Sequence, residues 1–370
     1  MRFPEFSGEW KMATFGDIAK GFDYGMNAAA KSFDGNNKYI RITDIDEVSS
    51  QYLYDDVVSP DGELEDRYLV KENDILLART GASTGKSYLY RNSDGKLYFA
   101  GFLIRANIYK HNSYFVFSQL HTLRYKKWIS VMSARSGQPG INSQEYASFP
   151  VYTTSLQEED KIATFLKLLD ERIITQNKII EDLKKLKSAI RKKMFSLLKD
   201  EYTESFEINQ LLDYEQPTAY IVANDEYSTD TSLTPVLTAN KGFILGYTDE
   251  KFGIYQKGEC IIFDDFTMDA KYVSFPFKVK SSAIKILTAK PNVNLRFMFE
   301  YLSYWELKSE GHKRHYISEI ASLVIELPSK ERQSIIASLM TSLNSKLDIE
   351  AKTKIRYEEQ KRYLLSQMFI

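Results

Sequence analysis

The sequence has few of the residues from which catalytic and metal sites are usually built. A single cysteine, Cys260, among 370 residues excludes an internal disulfide and a cysteine-rich zinc site. No Asn/Asp-Pro-Pro-Tyr/Phe or His-Glu-x-x-His sequence occurs, and no nucleophile elbow is predicted. His312 and His315 are better explained as a basic helix end than as metal ligands. Asp264 and Asp265 are expected to be solvated loop carboxylates.

Long apolar runs and a large net charge are also lacking. No run approaches the ~20 residues of a membrane helix, and the start lacks the apolar core of a signal peptide, so we expect a cytoplasmic protein with no membrane contact. A net charge of −1 argues against a simple DNA-coating protein. Charge is nevertheless segregated, because residues 76–138 carry ten Lys/Arg and one acid, Asp94, after an acid-rich segment, 41–75. This indicates either a positively charged face or chance clustering.

Two segments are predicted to be long helices. Residues 156–199 contain neither proline nor glycine and are rich in helix formers, and residues 329–369 have the same character. In both, apolar residues recur at alternating spacings of three and four, which predicts a seam that packs against another long helix. The seam residues are Leu166, Leu169, Ile173, Ile180, Leu183, Ile190, Met194 and Leu197 in the first segment, and Met340, Leu343, Leu347, Tyr357, Leu364 and Met368 in the second. Lys187 and Lys361 interrupt the two seams, which indicates imperfect packing or a third partner.

The two helical segments are copies of one another. Adding 174 to the residue number places EYASFPV (145–151) on EIASLVI (319–325) without a gap. The parts that precede the helices also match more faintly. WKMATFGDI (10–18) and KYIRITDI (38–45) match at an offset of 196, and NDILLART (73–80) matches at 186. The sequence therefore predicts one plan that is repeated.

The predicted fold class is α+β, with two mixed α/β domains joined by two long antiparallel helices that form a coiled coil with pseudo-two-fold repetition. The predicted segments are a first domain at 1–152, a long helix at 153–200, a second domain at 201–327 and a second long helix at 328–370. Strands are expected at KYIRI, DILLAR, KSYLY, GFLIRANIY and GECIIF. HNSYFVFSQLHTLRYKKWISVM and NVNLRFMFEYLSYWELKS are each expected to form one helix.

GASTGKS (81–87) resembles the phosphate-binding loop of nucleotide hydrolases but departs from it. Only three residues separate Gly81 from Gly85, and the residues after Lys86 favour a strand where the phosphate-binding loop requires a helix. A small-residue turn with accessible amides, hydroxyls and a lysine fits DNA equally well. ARSGQPGINSQ (134–144) is a second loop of this kind, in which Arg135 supplies charge and Gln138 and Asn142 are candidates for adenine contacts.

The candidate DNA contacts come from these loops and from the corresponding places in the second half. They are Arg41, Thr43, Arg79, Thr80, Ser83, Thr84, Lys86, Arg105, Arg135, Gln138 and Asn142 in the first half, and Thr238, Asn240, Lys241, Thr267, Lys271, Lys313, Arg314 and Tyr316 in the second. Each loop alone is a weak signal, since Gly/Ser/Lys turns are common on surfaces. Two similar domains held apart by paired helices suit two half-sites on one duplex.

The sequence resembles the specificity subunit of type I restriction–modification systems. The resemblance rests on WKMATFGDI, KYIRITDI, DILLARTGASTGKS, GQPGINSQEYASFPV followed by LQEEDKIATFLKLLDERI, and the ASLVIELPSKERQSII echo. The family's order of recognition domain, helix, recognition domain and helix spans nearly the whole chain. The first half departs from it, because TTSLQEED replaces the proline-led entry LPSKERQ of the second half.

The resemblance implies a non-catalytic protein in which each domain recognises half of a bipartite site in double-stranded DNA. Its partners would be two modification subunits, which bind S-adenosylmethionine and methylate adenine, and restriction subunits, which use ATP and Mg²⁺. This chain would bind no cofactor itself. Two alternatives are a coiled-coil adaptor that binds proteins only and a nucleotide hydrolase that uses GASTGKS. The adaptor leaves the basic stretch 76–138 unused, and the hydrolase lacks the required loop length and helix.

Overall fold

The chain folds into two compact units that each combine short strands with helices. A computed structural model describes residues 2–134, 140–198, 203–238, 242–305 and 316–369. Unit 1 is Met1–Asn177 with Thr353–Ile370, and unit 2 is Lys178–Lys352. These units divide the chain differently from the four predicted segments, because each long helix contributes one half to each unit.

Unit 1 is built around a four-stranded antiparallel sheet. Its strands are β1 (Lys11–Thr14), β2 (Ala19–Tyr24), β3 (Ala29–Ser32), β4 (Lys38–Ile40), β5 (Val58–Asp61), β6 (Asp74–Ala78), β7 (Ser87–Leu89), β8 (Leu97–Phe99), β9 (Leu103–Ile108) and β10 (Pro150–Thr153). Its helices are α1 (Phe15–Ile18), α2 (Ser113–Gln119), α3 (Leu123–Ser133), α4 (Ser143–Ala147), the first half of α5 (Leu156–Leu197) and the second half of α8 (Lys330–Met368). The central sheet has the order β2-β9-β6-β7, while β1 pairs with β10, β3 with β5, and β4 with β8.

Unit 2 repeats this architecture. Its strands are β11 (Glu204–Glu207), β12 (Leu212–Glu215), β13 (Thr234–Leu237), β14 (Ile244–Thr248), β15 (Cys260–Asp264), β16 (Ala270–Val273), β17 (Lys278–Val279), β18 (Ile284–Ala289) and β19 (Val324–Leu327). Its helices are the second half of α5, α6 (Ile208–Leu211), α7 (Leu295–Tyr304) and the first half of α8. The order β12-β18-β15-β16 matches that of the central sheet in unit 1. The predicted α+β class and its doubling are confirmed.

The middle strands β6 and β15 are buried on both faces. Successive strand residues point to opposite faces, so Ile75 and Leu77 join the core formed with the helices, whereas Leu76 and Ala78 join a second cluster. Unit 2 shows the same alternation, with Ile261 in one cluster and Ile262 in another. A continuous apolar run such as DILLA is typical of a strand that is covered on both sides.

The repeat extends to the hydrogen-bond register. Lys11 pairs with Thr153 in unit 1, and Glu204 pairs with Leu327 in unit 2, where Thr153 and Leu327 differ by the predicted 174. The first strands differ by 193, from Lys11 to Glu204, so the predicted offset of 196 for WKMATFGDI is wrong by three residues. The 186 offset of NDILLART is confirmed, because it places Asp74 on Cys260 at the start of β6 and β15.

The start of each long helix is tied to a helix N-terminus of its own unit. The Asn112 amide, at the N-cap of α2, donates to Glu159 Oε2 over 2.8 Å. The Asn294 amide, at the N-cap of α7, donates to Gln333 Oε1 over 2.9 Å. Glu159 and Gln333 differ by 174, so one helix-entry contact occurs in both units.

The two long helices run in opposite directions in each unit. In unit 1, Leu166 and Leu169 near the start of α5 share a core with Leu364 and Met368 near the end of α8. Unit 2 packs the end of α5 against the start of α8. The predicted seam residues are buried or half-buried, with one exception. Leu197 is 36% exposed, because the helix ends there with Phe195 and Leu198 facing the core instead.

Two predicted elements differ from the structure. The helix expected over 111–132 is two helices, because α2 ends at Gln119 and Thr122 caps the start of α3 by accepting from the Tyr125 amide. In KYIRITDI only Lys38–Ile40 is a strand, and a 3-10 turn follows at Ile42–Asp44. The second helix predicted, over 292–309, runs over Leu295–Tyr304, and residues 306–309 lie outside the described residues.

Candidate nucleic-acid interface

Three loops of unit 1 meet at one end of the central sheet. Strands β2 and β6 end there and β9 begins, since both pair antiparallel with β9. The Arg79 amide donates to the Phe102 carbonyl over 3.1 Å, and the Gly25 amide donates to the Leu103 carbonyl over 3.2 Å. We call this region, formed by Tyr24, the 79–86 loop and Phe102, edge 1.

The 79–86 loop uses much of its backbone to close on itself. The amides of Thr84, Gly85 and Lys86 donate to the carbonyls of Gly81, Ala78 and Ser83, respectively, over 3.0–3.1 Å. The expectation of freely accessible amides is therefore wrong for these three positions. Gly85 has φ +91°, and a Cβ there would lie 2.9 Å from Ile129, so this position favours glycine.

The 79–86 loop lacks the geometry of both the phosphate-binding loop and the nucleophile elbow. The predicted strand after Lys86 is confirmed as β7, so the loop leads into a strand and not into the helix that a phosphate-binding loop requires. Gly81–Gly85 also spells Gly-x-Ser-x-Gly, but a nucleophile elbow requires a strand, a sharp turn and then a helix. Ser83 instead lies in a 3-10 turn between two strands.

The cations of edge 1 lie beside aromatic and acidic groups. The Arg79 guanidinium lies 4.9 Å from the centroid of the Tyr24 ring, whose hydroxyl accepts a hydrogen bond from the Ser143 amide over 3.2 Å. Hydrogen bonding to the Ser143 side chain, with a smaller effect from this amide, lowers the pKa of Tyr24. Lys86 Nζ is 3.8 Å from Glu47 Oε2, and the Glu47 side chain is 82% exposed. The Lys86 side chain is 22% exposed, and a pair with so exposed a carboxylate is weak, so a phosphate can compete with Glu47 for Lys86.

The remaining hydroxyl candidates of this edge are close to Lys86. Thr80 forms an isolated bridge with Gly140, and Ser83 and Thr84 are half-buried. The Thr84 hydroxyl donates to the Gly81 carbonyl over 2.7 Å and thereby stabilises the turn. The structure therefore brings Arg79, Thr80, Ser83, Thr84 and Lys86 together in one loop.

Arg41 and Arg105 are engaged within unit 1. The Arg41 guanidinium donates to both carboxylate oxygens of Asp44, over 2.7 and 2.9 Å, and to Asp56 over 2.9 Å, which raises the pKa of Arg41. Arg105 donates to Asp23 over 2.7 Å and to the Leu69 carbonyl. These two arginines connect loops of unit 1, whereas Thr43 is exposed.

Asn142 has a structural role. Its side-chain Oδ1 accepts from the Glu145 amide over 2.9 Å as the N-cap of α4, and the Asn142 amide donates to the Glu145 carboxylate over 2.8 Å. A bidentate contact with adenine needs the same oxygen, so that predicted role conflicts with the cap. The other two candidates of this segment, Arg135 and Gln138, lie outside the described residues.

In unit 2 the structure corrects two predictions. Tyr316 is 1% exposed and packs on Tyr214 and Phe263, so its ring is part of the core and is not an exposed DNA contact. Asp264 and Asp265 are 6% and 1% exposed, and they are structural groups rather than solvated loop carboxylates. Asp264 accepts from the Phe266 and Thr267 amides, which closes a turn.

The other candidates in unit 2 are spread over three places. Thr267 is exposed in the turn after β15, and Lys271 is half-buried in β16. The Thr238 amide donates to the Phe243 carbonyl over 3.0 Å. Asn240, Lys241, Lys313 and Arg314 lie outside the described residues, as does the His312–His315 pair.

A family model described as "Type I restriction modification DNA specificity domain" matches the chain twice, over residues 7–185 and 201–359. The chain belongs to this family. The resemblance predicted from the sequence is confirmed. The two matches fall on the two halves of the repeat and leave only short segments of the 370 residues unmatched.

Other members of this family share sequence with the chain. The specificity subunit of the Escherichia coli type I restriction enzyme EcoR124I/EcoR124II is 39% identical over 178 residues, which is 43% of each chain. The match therefore covers less than half the length of that relative. A putative MjaX specificity subunit of Methanocaldococcus jannaschii is 23% identical over 294 residues, covering 71% of this chain and 69% of the relative.

A solved structure shares the fold. The crystal structure of a type I restriction-modification S subunit from M. genitalium aligns with a TM-score of 0.67 at 15% identity, covering 98% of this chain and 96% of that one. No helix among the described residues is long and apolar enough to cross a membrane. Those residues also contain no cluster of three His, Cys, Asp or Glu positioned to hold a metal ion.

Two residues of edge 1, Tyr24 and Phe102, are not among the DNA contacts predicted from the sequence. Tyr24 is 42% exposed and Phe102 is 61% exposed. The pattern that identifies Phe102 is a large aromatic residue directly after glycine, between the apolar strands LYF and LIRANI. An aromatic side chain in such a turn is as compatible with burial as with exposure, and only the packing of the turn decides between them.

Proposed function

We propose that this chain is the DNA sequence-specificity subunit of a type I restriction–modification complex. The observation that supports this most directly is the double match to the specificity-domain family, one match on each unit. In this function each unit recognises one half of a bipartite site in double-stranded DNA. The helices α5 and α8 set the distance between the half-sites and bind the methyltransferase subunits.

The catalytic steps belong to the partners in this proposal. Two modification subunits carry S-adenosylmethionine and methylate adenine, and restriction subunits carry the ATP and Mg²⁺ that translocation and cleavage require. The complex works in the cytoplasm. The absence of a nucleotide-binding helix behind Lys86 supports a chain without nucleotide hydrolysis of its own.

The direct test is methylome sequencing of cells that express this chain together with its modification subunit. We expect methylated adenines in one split motif, with two specific half-sites and a fixed spacer, and none in cells with the modification subunit alone. Methylation without a split motif contradicts the proposal and favours an adaptor role. Hydrolysis of ATP by the purified chain, lost in Lys86→Ala, contradicts the non-catalytic role.

A further inference from the structure

We propose that unit 1 contacts its half-site through the exposed ring of Phe102, beside Arg79 and Tyr24, and that unit 2 lacks this contact at the equivalent position, which is Ala283. The inference rests on the proposed function and adds one point to it: one half-site is recognised partly by an apolar contact to its bases.

The backbone of Phe102 is held in place while its ring is in solvent. The Leu103 amide donates to the Ala100 carbonyl over 2.8 Å and closes a tight turn around Gly101 and Phe102. The Gly101 amide donates to Met26, and the Phe102 carbonyl accepts from Arg79. Phe99 and Leu103 on either side are fully buried, yet Phe102 is 61% exposed. A fixed turn that exposes an aromatic ring suits a surface covered by a partner.

Gly25 makes this arrangement possible. A Cβ at position 25 would overlap the Ala100 carbonyl, so the end of β2 approaches the turn this closely only with glycine. The same approach brings Tyr24 to edge 1, where its ring lies beneath the Arg79 guanidinium. Phe102 is therefore one member of a group of aromatic, cationic and hydroxyl side chains and not an isolated exposed residue.

That combination matches the chemistry of duplex DNA. Arginine and lysine bind phosphates, and hydroxyls bind phosphates or base edges. An exposed phenylalanine contacts the thymine methyl group or inserts between base pairs, and neither contact depends on counterion release. Edge 1 offers both kinds of group, because Arg79 and Lys86 lie in the loop whose backbone bonds to the Phe102 turn.

Unit 2 carries different chemistry at the equivalent positions. The Asp265 amide donates to the Ala283 carbonyl over 2.9 Å, which is the counterpart of the bond from Arg79 to Phe102, because β15 and β18 correspond to β6 and β9. Alanine therefore stands in place of Phe102, and aspartate in place of Arg79. The Asp265 carboxylate accepts from the Tyr316 amide over 2.8 Å and lies 3.5 Å from Lys285 Nζ.

The test uses the assembled methyltransferase complex and duplexes that carry the motif found by methylome sequencing. Affinity is measured for the intact site and for sites with either half scrambled. For the wild type, scrambling each half weakens binding. Phe102→Ala should bind the intact site about tenfold more weakly than the wild type. In this variant, scrambling one of the two half-sites should cost less affinity than in the wild type, whereas scrambling the other should cost as much as before. The dependence of affinity on salt should stay unchanged, because no phosphate contact is removed.

Phe33→Ala is the matched control, since Phe33 is 40% exposed after β3 and should leave all penalties unchanged. Phe102→Gln removes the ring while keeping a side chain of similar length, and it serves if the alanine variant assembles poorly. The inference is overturned if, in Phe102→Ala and Phe102→Gln, scrambling each half-site costs as much affinity as in the wild type. It is also overturned if the cost falls equally for both half-sites. If methylome sequencing finds a split motif but the Phe102 inference is overturned, the proposed function still holds. If it finds no split motif, the proposed function itself is contradicted.

Discussion

Lys361 of α8 and Asp170 of α5 form an ion pair across the two helices, with 2.5 Å between Nζ and Oδ1. Tyr114 of α2 donates its hydroxyl to the other oxygen of Asp170. In the repeat, Lys361 corresponds to Lys187, which lies 3.9 Å from the fully buried carboxylate of Glu300. Both lysines that interrupt the apolar seams therefore have an acidic partner inside their own unit, and in unit 1 the acid is on α5 while in unit 2 it is on α7.

The pair in unit 1 should contribute measurably to stability. Asp170→Ala leaves the Lys361 charge, whose side chain is 21% exposed, without this partner, so we expect the free energy of unfolding to fall by roughly 1–3 kcal/mol. Asp170→Ala with Lys361→Met should lose less than the sum of the two single changes. Denaturant unfolding of the four proteins gives the coupling energy, and additive losses contradict the pairing.

His121 makes the stability of unit 1 depend on pH. Burial, with Lys361 nearby as a second cause, lowers the pKa of His121 from 6.5 to about 4. Between those values the unfolded chain binds a proton that the folded unit does not, so the free energy of unfolding falls as the pH is lowered through this window. The full loss amounts to about 3 kcal/mol.

The measurement compares the wild type with His121→Gln in denaturant unfolding from pH 7 to pH 4. The substitution removes the titrating group. Between pH 7 and pH 4 the free energy of unfolding of the variant should therefore fall by about 3 kcal/mol less than that of the wild type. Phe117 O and Ser50 Oγ are the hydrogen-bond partners of the ring, and glutamine retains polar atoms toward them. Parallel curves for the two proteins contradict the assignment.

The sequence predicted the elements with the strongest periodicity and missed what depends on three-dimensional packing. The long helices and the repeat were correctly predicted because an uninterrupted apolar spacing and a gap-free offset survive in one dimension. The partner of Lys187 was not predictable, since Glu300 lies on a separate helix and only the fold brings them together.

The loops show the same limit. Charge and hydroxyl content marked Arg41 and Arg79 alike as candidate contacts, but the fold pairs Arg41 with two carboxylates and places Arg79 over an aromatic ring. The repeat predicts Tyr316 as a contact because it corresponds in place to a loop of the first half, but its ring is buried against Phe263, 53 positions earlier in the sequence. Local composition does not distinguish these outcomes.

Adjacent residues of α5 provide a matched test of the seam. Leu169 is 5% exposed and Leu168 is 53% exposed, so a charge at 169 enters the core whereas a charge at 168 faces water. We expect Leu169→Asp to lower the free energy of unfolding by about 3–5 kcal/mol, and Leu168→Asp by less than about 1 kcal/mol. Thermal unfolding measures both. Similar losses for the two variants contradict the seam assignment.

The same comparison applies in unit 2, where Ile180 is half-buried and Ile179 is 38% exposed. Because Ile180 is less deeply buried than Leu169, the loss on Ile180→Asp should be the smaller of the two. Co-purification with the modification subunit then shows whether an intact seam is required for assembly.

Arg79 and Lys86 are predicted to contact DNA phosphates. Each alanine variant should weaken binding to all sequences alike and reduce the slope of log affinity against log salt by about 1. Arg41→Ala is the control, because Arg41 is paired with Asp44 and Asp56 and its loss should lower stability but leave the slope unchanged. Filter binding or fluorescence anisotropy over a range of salt concentrations gives the slopes. Unchanged slopes in both Arg79→Ala and Lys86→Ala contradict the phosphate contacts.

Asn142 distinguishes a helix cap from a base contact. Serine also caps helices well but lacks the amide group that pairs with adenine, so Asn142→Ser keeps the first role and removes the second. Because Oδ1 already accepts from the Glu145 amide, we expect Asn142→Ser to retain both stability and the methylated motif. Asn142→Ala should lower the free energy of unfolding by about 1 kcal/mol, since it leaves that amide without its cap. A motif relaxed at one base pair in Asn142→Ser, with stability unchanged, shows instead that the side chain is used for recognition.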